Sequence, residues 1–299
     1  MAKLSRQTKE IIKTVLFLLV VGVLIFFFII YPLTRAKVMM GRVDIEDFNP
    51  DSLAINDPGP YAEIDSSVDT FYLESDGLTT LACLYLKAPK DSADGTAILL
   101  HRDGDNRDSL LYLAQSIHNN NFNVITYDQR ASRFSTGKYR GEGYYESSDI
   151  EALISYLELR EKIIHPLYVI GFETGADGAI LAAHEEKRIN GVIAIDPYLT
   201  TMRMQDVLKD KHDAMWFPFY RSMMWWWYNI RSGYAAPYRK IENLSAVTCT
   251  TLILLSPDFE NIEEITKLKE LSPIELLTVK TFNENRDTLS AEILDFIKK

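Results

Sequence analysis

Residues 167–175 read Leu-Tyr-Val-Ile-Gly-Phe-Glu-Thr-Gly, and this stretch decides the fold of the chain. Its first four residues form a short apolar run of the kind found in buried strands. Gly171 and Gly175 each stand two positions from Glu173, and glycines at that spacing let a strand turn sharply into a helix. The turn lifts the central side chain clear of the sheet. It also leaves the backbone N–H of Thr174 at a helix N-terminus, where negative charge is stabilised.

Short apolar strands alternate with amphipathic helices on both sides of this turn. Runs at 71–73 and 82–86 flank Ser75-Asp76-Gly77 and predict a hairpin. Four further runs predict buried strands, at 96–101, 123–127, 191–195 and 251–255. Three helices are predicted, starting at Ser109, at the capping-box sequence 148–151 and near Leu289. The alternation predicts an α/β fold, a mostly parallel sheet covered by helices on both faces.

Composition and charge exclude several classes of protein. The 299 residues are 47% hydrophobic and 25% charged, as in ordinary globular proteins. Residues 1–42 carry seven Lys or Arg against one Glu, a charge of +6. The rest of the chain therefore carries −16, and the whole chain −10. An acidic body of that kind repels nucleic acid, so nucleic-acid binding is not expected. The two cysteines, Cys83 and Cys249, cannot build a disulfide framework, and no Cys/His group has zinc spacing. No metal or cofactor is expected.

The N-terminal region carries a candidate membrane anchor. Residues 15–33, VLFLLVVGVLIFFFIIYPL, hold no charge, and a helix needs about 20 such residues to cross the hydrocarbon core. The run exceeds the ~7–15 residues of a signal-peptide core and lacks a small-x-small cleavage site, which favours an uncleaved anchor over a cleaved signal. Residues 1–14 are its basic flank, 34–66 a polar linker, and 67–299 one domain. Four basic residues precede the run and three follow, which favours a cytoplasmic N-terminus and an extracytoplasmic domain.

Several pieces of the domain, in chain order, resemble the α/β-hydrolase superfamily. They are the Asp76-Gly77 hairpin, His101 at the end of a strand, Asp128-Gln129-Arg130 with Ser135-Thr136-Gly137, and the glycines at 171 and 175. The resemblance covers about residues 68–299 and is strongest to membrane-anchored, single-span members with a serine-aminopeptidase-like domain. It implies an α/β-hydrolase fold and a triad of serine, acid and histidine.

The departures from this superfamily fall on the catalytic positions. Glu173 stands where the superfamily has its nucleophilic serine. His101-Arg102 replaces the His-Gly that follows the oxyanion strand, so Thr174 and Arg102 occupy the oxyanion-hole positions. The resemblance is therefore to a branch with degenerate catalytic residues.

The later triad members are also affected. The acid expected after the 251–255 strand would be Asp258 or Glu260. The catalytic histidine should lie within 281–285, which reads Thr-Phe-Asn-Glu-Asn, and no histidine follows His212. A triad in the order nucleophile, acid, histidine cannot be assembled.

Two interpretations of Glu173 follow. In one, His101 lies beside it because the two strands are neighbours in this fold, and the pair supports hydrolysis. In the other, Glu173 is a fixed carboxylate held by backbone N–H groups and by Arg102 or Arg130. A carboxylate at a helix N-terminus would then fill the oxyanion hole itself.

The segment at about 202–240 is rich in methionine and aromatic residues, including Trp216, Trp225, Trp226 and Trp227. The resemblance implies a lid over a pocket here, and such surfaces suit apolar ligands. Packing as core and contact with the membrane interface are the alternatives.

The sequence therefore predicts a single-pass membrane protein with an α/β-hydrolase-like domain. The favoured function is that of a pseudohydrolase that binds an apolar small molecule or a protein partner. The alternative is an active hydrolase of esters or amides with a centre at Glu173 and His101. Fold alone does not choose between them.

Overall fold

The computed structural model describes residues 5–34, 58–137, 139–141, 143–198, 247–257, 276–282 and 285–299, together with residues 223, 226, 227 and 230. The chain divides into two compact units. The larger unit comprises Arg42–Met204 with Tyr238–Lys299, and the smaller Met1–Gly41 with Gln205–Pro237. Asp258, Trp216, Trp225 and nearly all of the expected lid at 202–240 lie outside the described residues.

A twisted β-sheet organises the larger unit. Its strands within the described residues are β1 (Asp69–Glu74), β2 (Thr80–Leu86), β3 (Thr96–Leu100), β4 (Asn123–Asp128), β5 (Leu167–Phe172), β6 (Gly191–Ile195), β7 (Thr250–Leu255) and β8 (Leu277–Thr281). They lie in the order β1-β2-β4-β3-β5-β6-β7-β8. The β1–β2 and β2–β4 pairs are antiparallel, and every other pair is parallel. The mostly parallel sheet predicted from the alternation is confirmed.

Helices cover both faces of this sheet. On one face lie α3 (Tyr144–Glu158) and α4 (Thr174–Glu185), and on the other α2 (Leu111–Asn119) and α5 (Arg286–Ile297). Successive strand residues point to opposite faces, so Ile98 packs with the first pair of helices and Leu99 with the second. The parallel strands thus read as continuous apolar runs because both of their faces are buried.

The helix starts differ from the sequence predictions. The helix expected from Ser109 begins at Leu111, behind a 3₁₀ turn that Asn106 caps by accepting a hydrogen bond from the backbone N–H of Asp108. The helix expected at 148–151 begins earlier, at Tyr144.

Backbone geometry explains the earlier start of α3. Gly143 precedes the helix at φ 99°, a left-handed conformation that suits glycine. The Glu146 carboxylate accepts hydrogen bonds of 2.8 Å from the backbone N–H groups of Gly141 and Gly143. Asp149, expected to lie in a capping box, is instead fully buried and faces Arg130.

The N-terminal helix belongs to the smaller unit. α1 spans Arg6–Ile25 and continues through a π-helical turn at Phe26–Ile30. The helical segment Arg6–Thr34 has a mean hydropathy of 3.0, and among the described residues it is the one helix long and apolar enough to cross a membrane. Its side chains are exposed in the isolated protein, as expected for a surface that contacts lipid.

A buried ion pair ties the loop after β4 to α3. The Arg130 guanidinium donates to both oxygens of Asp149, at 2.8 and 2.6 Å, and both residues are buried. The same guanidinium lies 3.3 Å from Asp76 in the turn between β1 and β2, and that carboxylate is partly exposed. Removing one member of a buried pair leaves a charge without compensation, whereas a partly exposed partner is replaced by water.

We therefore predict that Asp149→Ala lowers the free energy of unfolding by about 3–5 kcal/mol. Asp76→Ala is the matched control, because it removes the other carboxylate from the same guanidinium, and its expected cost is about 1 kcal/mol or less. Urea denaturation followed by circular dichroism measures both. Equal losses in the two variants would contradict the assignment of the buried pair.

Candidate functional site

Glu173 occupies the sharp turn between β5 and α4. Its backbone has φ 48° and ψ −111°, a combination that strains any residue with a Cβ atom by about 1–3 kcal/mol. Its N–H donates to the carbonyl of Ile195 at 2.9 Å and its carbonyl accepts from the N–H of Asp177 at 3.1 Å. The strand-to-helix turn predicted from the sequence is present, and Glu173 stands at its apex.

Close packing around the two glycines enforces this turn. A Cβ atom on Gly171 would lie 2.3 Å from backbone atoms of Gly175, and one on Gly175 would lie 2.8 Å from Leu100 and from the carbonyl of His101. The first turn of α4 therefore contacts β5 and the end of β3 at backbone distance, and no residue larger than glycine fits at either position.

The Glu173 side chain does not cap the helix it precedes. It makes no capping hydrogen bond to α4; instead the Tyr198 hydroxyl donates to Oε2 at 3.0 Å. The two arginines expected to hold this carboxylate pair elsewhere, Arg130 with Asp149 and Arg102 with Asp105. The hydrogen bond expected between the Glu173 carboxylate and the N-terminus of α4 is therefore not formed, and the filling of the oxyanion hole stays a prediction.

His101 does not act on Glu173 in this structure. Its Nε2 accepts from the backbone N–H of Gln129 at 2.9 Å, so its Nδ1 carries the proton and donates to the Arg102 carbonyl at 2.8 Å. Burial lowers the pKa of the ring and favours its neutral form. The predicted Glu173–His101 pair is not formed, because both ring nitrogens are engaged by backbone groups.

A cavity of about 720 Å³ lies at the carboxyl edge of the sheet. Successive strands contribute Glu173 after β5, Asp196 after β6, Ser256 after β7 and Phe282 after β8. Ligands of open α/β sheets bind at this edge. Glu173 and Arg102, both singled out in the sequence, line the cavity.

Asp196 is a cavity residue that the sequence analysis missed. It follows β6 directly, has φ 47°, and its Oδ1 accepts from the backbone N–H of Ser256 at 2.7 Å. An acidic residue placed directly between a buried strand and Pro197 was the available signal. Its position in the cavity depends on β6 lying next to β5, and a sequence pattern does not give the order of the strands.

The other predicted site residues are placed as follows. Thr174 is the buried first residue of α4, so its N–H has no intrahelical partner. Trp226 and Trp227 are helical residues of the smaller unit, with ring centroids 5.0 Å apart in an edge-to-face contact. Asp258, Trp216 and Trp225 lie outside the described residues, so their roles stay predictions.

No described histidine lines the cavity. His118 forms a hydrogen bond with the Lys87 carbonyl, and His165 forms one with the Asn190 side chain. Burial raises the pKa of the Cys83 thiol well above its ordinary value, which disfavours the nucleophilic thiolate. Among the described residues, no group of three His, Cys, Asp or Glu side chains could hold a metal ion.

Solved structures share this architecture. The esterase Pf2001 of Pyrococcus furiosus matches with a TM-score of 0.63 and 18% identity, over 85% of this chain and 95% of that one. Est1E of Butyrivibrio proteoclasticus, solved with ferulic acid, matches with a TM-score of 0.59 and 12% identity, over 76% of this chain and 98% of its own. A 2,6-dihydroxy-pseudo-oxynicotine hydrolase matches with a TM-score of 0.58 and 17% identity, over 77% of this chain and 67% of that one.

No protein-family model and no curated protein sequence matches the chain. The structural likenesses and the strand order give the larger unit the α/β-hydrolase fold, as predicted. At these identities the likeness concerns the fold alone, and chemistry has to be argued from the cavity. The aminopeptidase-like branch stays a prediction.

The strained turn generates a stability prediction. Glu173→Gly and Glu173→Ala both remove the carboxylate, but only glycine relieves the strain at φ 48°. We expect the free energy of unfolding of the glycine variant to exceed that of the alanine variant by about 1–2 kcal/mol. Chemical denaturation measures both values.

The control is the same pair of variants at Gln115, an exposed residue within α2. There glycine is expected to be less stable than alanine by about 1 kcal/mol. The same order of stability at both positions would contradict a strained backbone at Glu173.

Proposed function

We propose that the protein is a membrane-anchored pseudohydrolase, which uses the cavity of an α/β-hydrolase fold to bind a small molecule without hydrolysing it. The observation that carries the proposal is the apex of the β5–α4 turn, where a half-buried glutamate lines the cavity in place of a nucleophilic hydroxyl. The turn keeps the geometry that displays a nucleophile, while the displayed group is a carboxylate.

The chemistry around Glu173 supports binding rather than turnover. A carboxylate nucleophile forms an ester intermediate that a base-activated water must release. The neutral ring of His101 is engaged on both nitrogens, and Tyr198 donates to the carboxylate that would have to attack. Among the described cavity residues, none supplies the base of a nucleophile–histidine–acid arrangement.

The cavity supports a small molecule more than a protein partner as the ligand. Its volume of about 720 Å³ lies within the range of small-molecule sites. Solved neighbours are named as esterases and hydrolases, but a shared fold does not fix function, so the cavity itself is the stronger support.

Hydrolysis of p-nitrophenyl acetate and butyrate by the purified full chain tests the proposal. We expect turnover by the native protein to equal that of Glu173→Ala, which measures the background. Turnover that disappears in Glu173→Ala would overturn the proposal and establish Glu173 as a nucleophile.

Glu173→Ser sharpens this experiment, because the turn would present a serine hydroxyl in the geometry of a nucleophile. Since no described histidine lines the cavity, we expect neither ester hydrolysis nor labelling by a fluorophosphonate probe. Labelling of this variant would reveal a base in the cavity and would contradict the loss of catalytic machinery.

We propose further that α1 anchors the chain with its N-terminus in the cytoplasm and its domain outside. The support is the 29-residue apolar helix and the excess of basic residues before it. In sealed vesicles with the cytoplasmic face outward, added protease should leave the domain intact until detergent is added. Digestion of the domain before detergent is added would show that the domain lies in the cytoplasm and would contradict the proposed orientation. Release of the protein by alkaline carbonate would contradict the membrane anchor.

A further inference from the structure

We infer that the smaller unit contacts the bilayer a second time, through a helical face formed by Met223, Trp226, Trp227 and Ile230. These four residues are called the tryptophan face, and the interfacial region of the membrane that α1 enters is its partner. The inference rests on the proposed anchor and extends it. It assigns lipid contact to residues for which the sequence left a lid, core packing and membrane contact as alternatives.

Helical spacing places the members of the tryptophan face side by side. All four residues are helical, and they follow one another at intervals of three, one and three positions. Residues at such intervals share one face of a helix. The ring centroids of Trp226 and Trp227 lie 5.0 Å apart in an edge-to-face contact. The two indoles therefore form one aromatic surface, which Met223 and Ile230 extend by a turn at either end.

The tryptophan face is open in the isolated chain. Trp226 is 59% exposed and Ile230 is 53% exposed, while Met223 and Trp227 are half-buried. Trp226 and Ile230 stand four positions apart, so their exposed surfaces adjoin on the helix. Single exposed apolar residues are common, but a contiguous apolar patch marks contact with a partner or a membrane. Half of this face is thus held by the protein and half is left for an external apolar phase.

The compact unit to which the face belongs identifies that phase as lipid. The smaller unit joins Met1–Gly41, which contains α1, to Gln205–Pro237, which contains the tryptophan face. A helix that spans the bilayer brings the rest of its compact unit to the membrane. The cavity residues belong to the larger unit instead. This grouping favours lipid contact over a lid on the cavity.

Residue chemistry at and around the face also suits the interfacial region of a bilayer. Tryptophan is enriched at the level of the lipid headgroups, because its ring is apolar and its N–H is a donor. Residues 214–241 hold four Lys or Arg and no Asp or Glu, in a chain whose net charge is −10. Basic residues beside an apolar aromatic surface are typical of segments that lie on a membrane. Apolar contact and local charge therefore favour the same partner.

Intrinsic fluorescence tests the inference, because all four tryptophans of the chain lie between positions 216 and 227 and α1 contains none. The full chain is held in phosphatidylcholine nanodiscs whose acyl chains are unbrominated, brominated near the headgroup or brominated near the terminal methyl. An interfacial helix lies about 5–10 Å into the boundary between headgroups and acyl chains. We therefore expect bromine near the headgroup to quench the emission most strongly, and iodide in the water to quench it weakly.

Variants assign the quenching to the tryptophan face. Trp226→Phe should remove about twice as much of the lipid-quenched emission as the matched change Trp227→Phe, since the first ring is exposed and the second half-buried. Ile230→Asp places a charge on the exposed surface and should lower quenching of the remaining emission by about half. Gln115→Asp adds the same charge on the exposed face of α2 and should leave the quenching unchanged. Circular dichroism checks that each variant is folded.

The outcomes separate this inference from the proposed anchor, which extraction with alkaline carbonate measures independently. Equal emission in brominated and unbrominated nanodiscs, from a chain that resists carbonate, would overturn the lipid contact and leave the anchor standing. Strong quenching by iodide would then show a face open to water, and weak quenching a face covered by protein. Lipid quenching that survives both Trp226→Phe and Ile230→Asp unchanged would overturn the assignment to this face. Release by carbonate would contradict the anchor together with the inference that rests on it.

Discussion

The backbone contact between β5, β3 and the first turn of α4 is the constraint on which the rest of the larger unit depends. Gly171 and Gly175 meet with no room for a Cβ atom, and Gly175 also lies against Leu100 and His101 at the end of β3. This contact fixes where α4 begins and forces residue 173 into a strained conformation at φ 48°. Because the surrounding sheet determines the turn so strongly, the strain persists with glutamate at its apex.

The scaffold and the chemistry of this fold are therefore separable. The strand order and the turn depend on backbone packing and on apolar runs buried on both faces of the sheet, and none of these requires a serine or a catalytic histidine. The catalytic positions are single side chains at strand ends, where substitution leaves the packing intact. His101 illustrates the difference: its ring joins the ends of β3 and β4 through the backbone of Arg102 and Gln129, which is a structural role at a position associated with catalysis.

Local pattern was enough to predict the α/β class, the β1–β2 hairpin and the turn at Glu173, because each follows from burial or from glycine spacing within one short segment. It was insufficient where the deciding contact came from elsewhere in the chain. The start of α3 depends on the left-handed Gly143 and on Glu146, and β8 is only partly buried, so its apolar pattern is weak. The neighbours of Glu173 depend on strand order: Asp196 enters the cavity because β6 lies beside β5, while Arg130 is drawn to Asp149 on α3.

The same strand order explains why the cavity has a chemistry that composition alone did not indicate. Parallel strands bring the residues that follow each of them to one edge of the sheet, and here those residues include Glu173 and Asp196. In a catalytic hydrolase such an edge holds one nucleophile, one acid and one histidine in a relay. Here a carboxylate stands at the apex of the turn and a second one follows the next strand. The edge keeps the position from which this fold displays a nucleophile, so the proposed binding function depends on what a carboxylate does at that position.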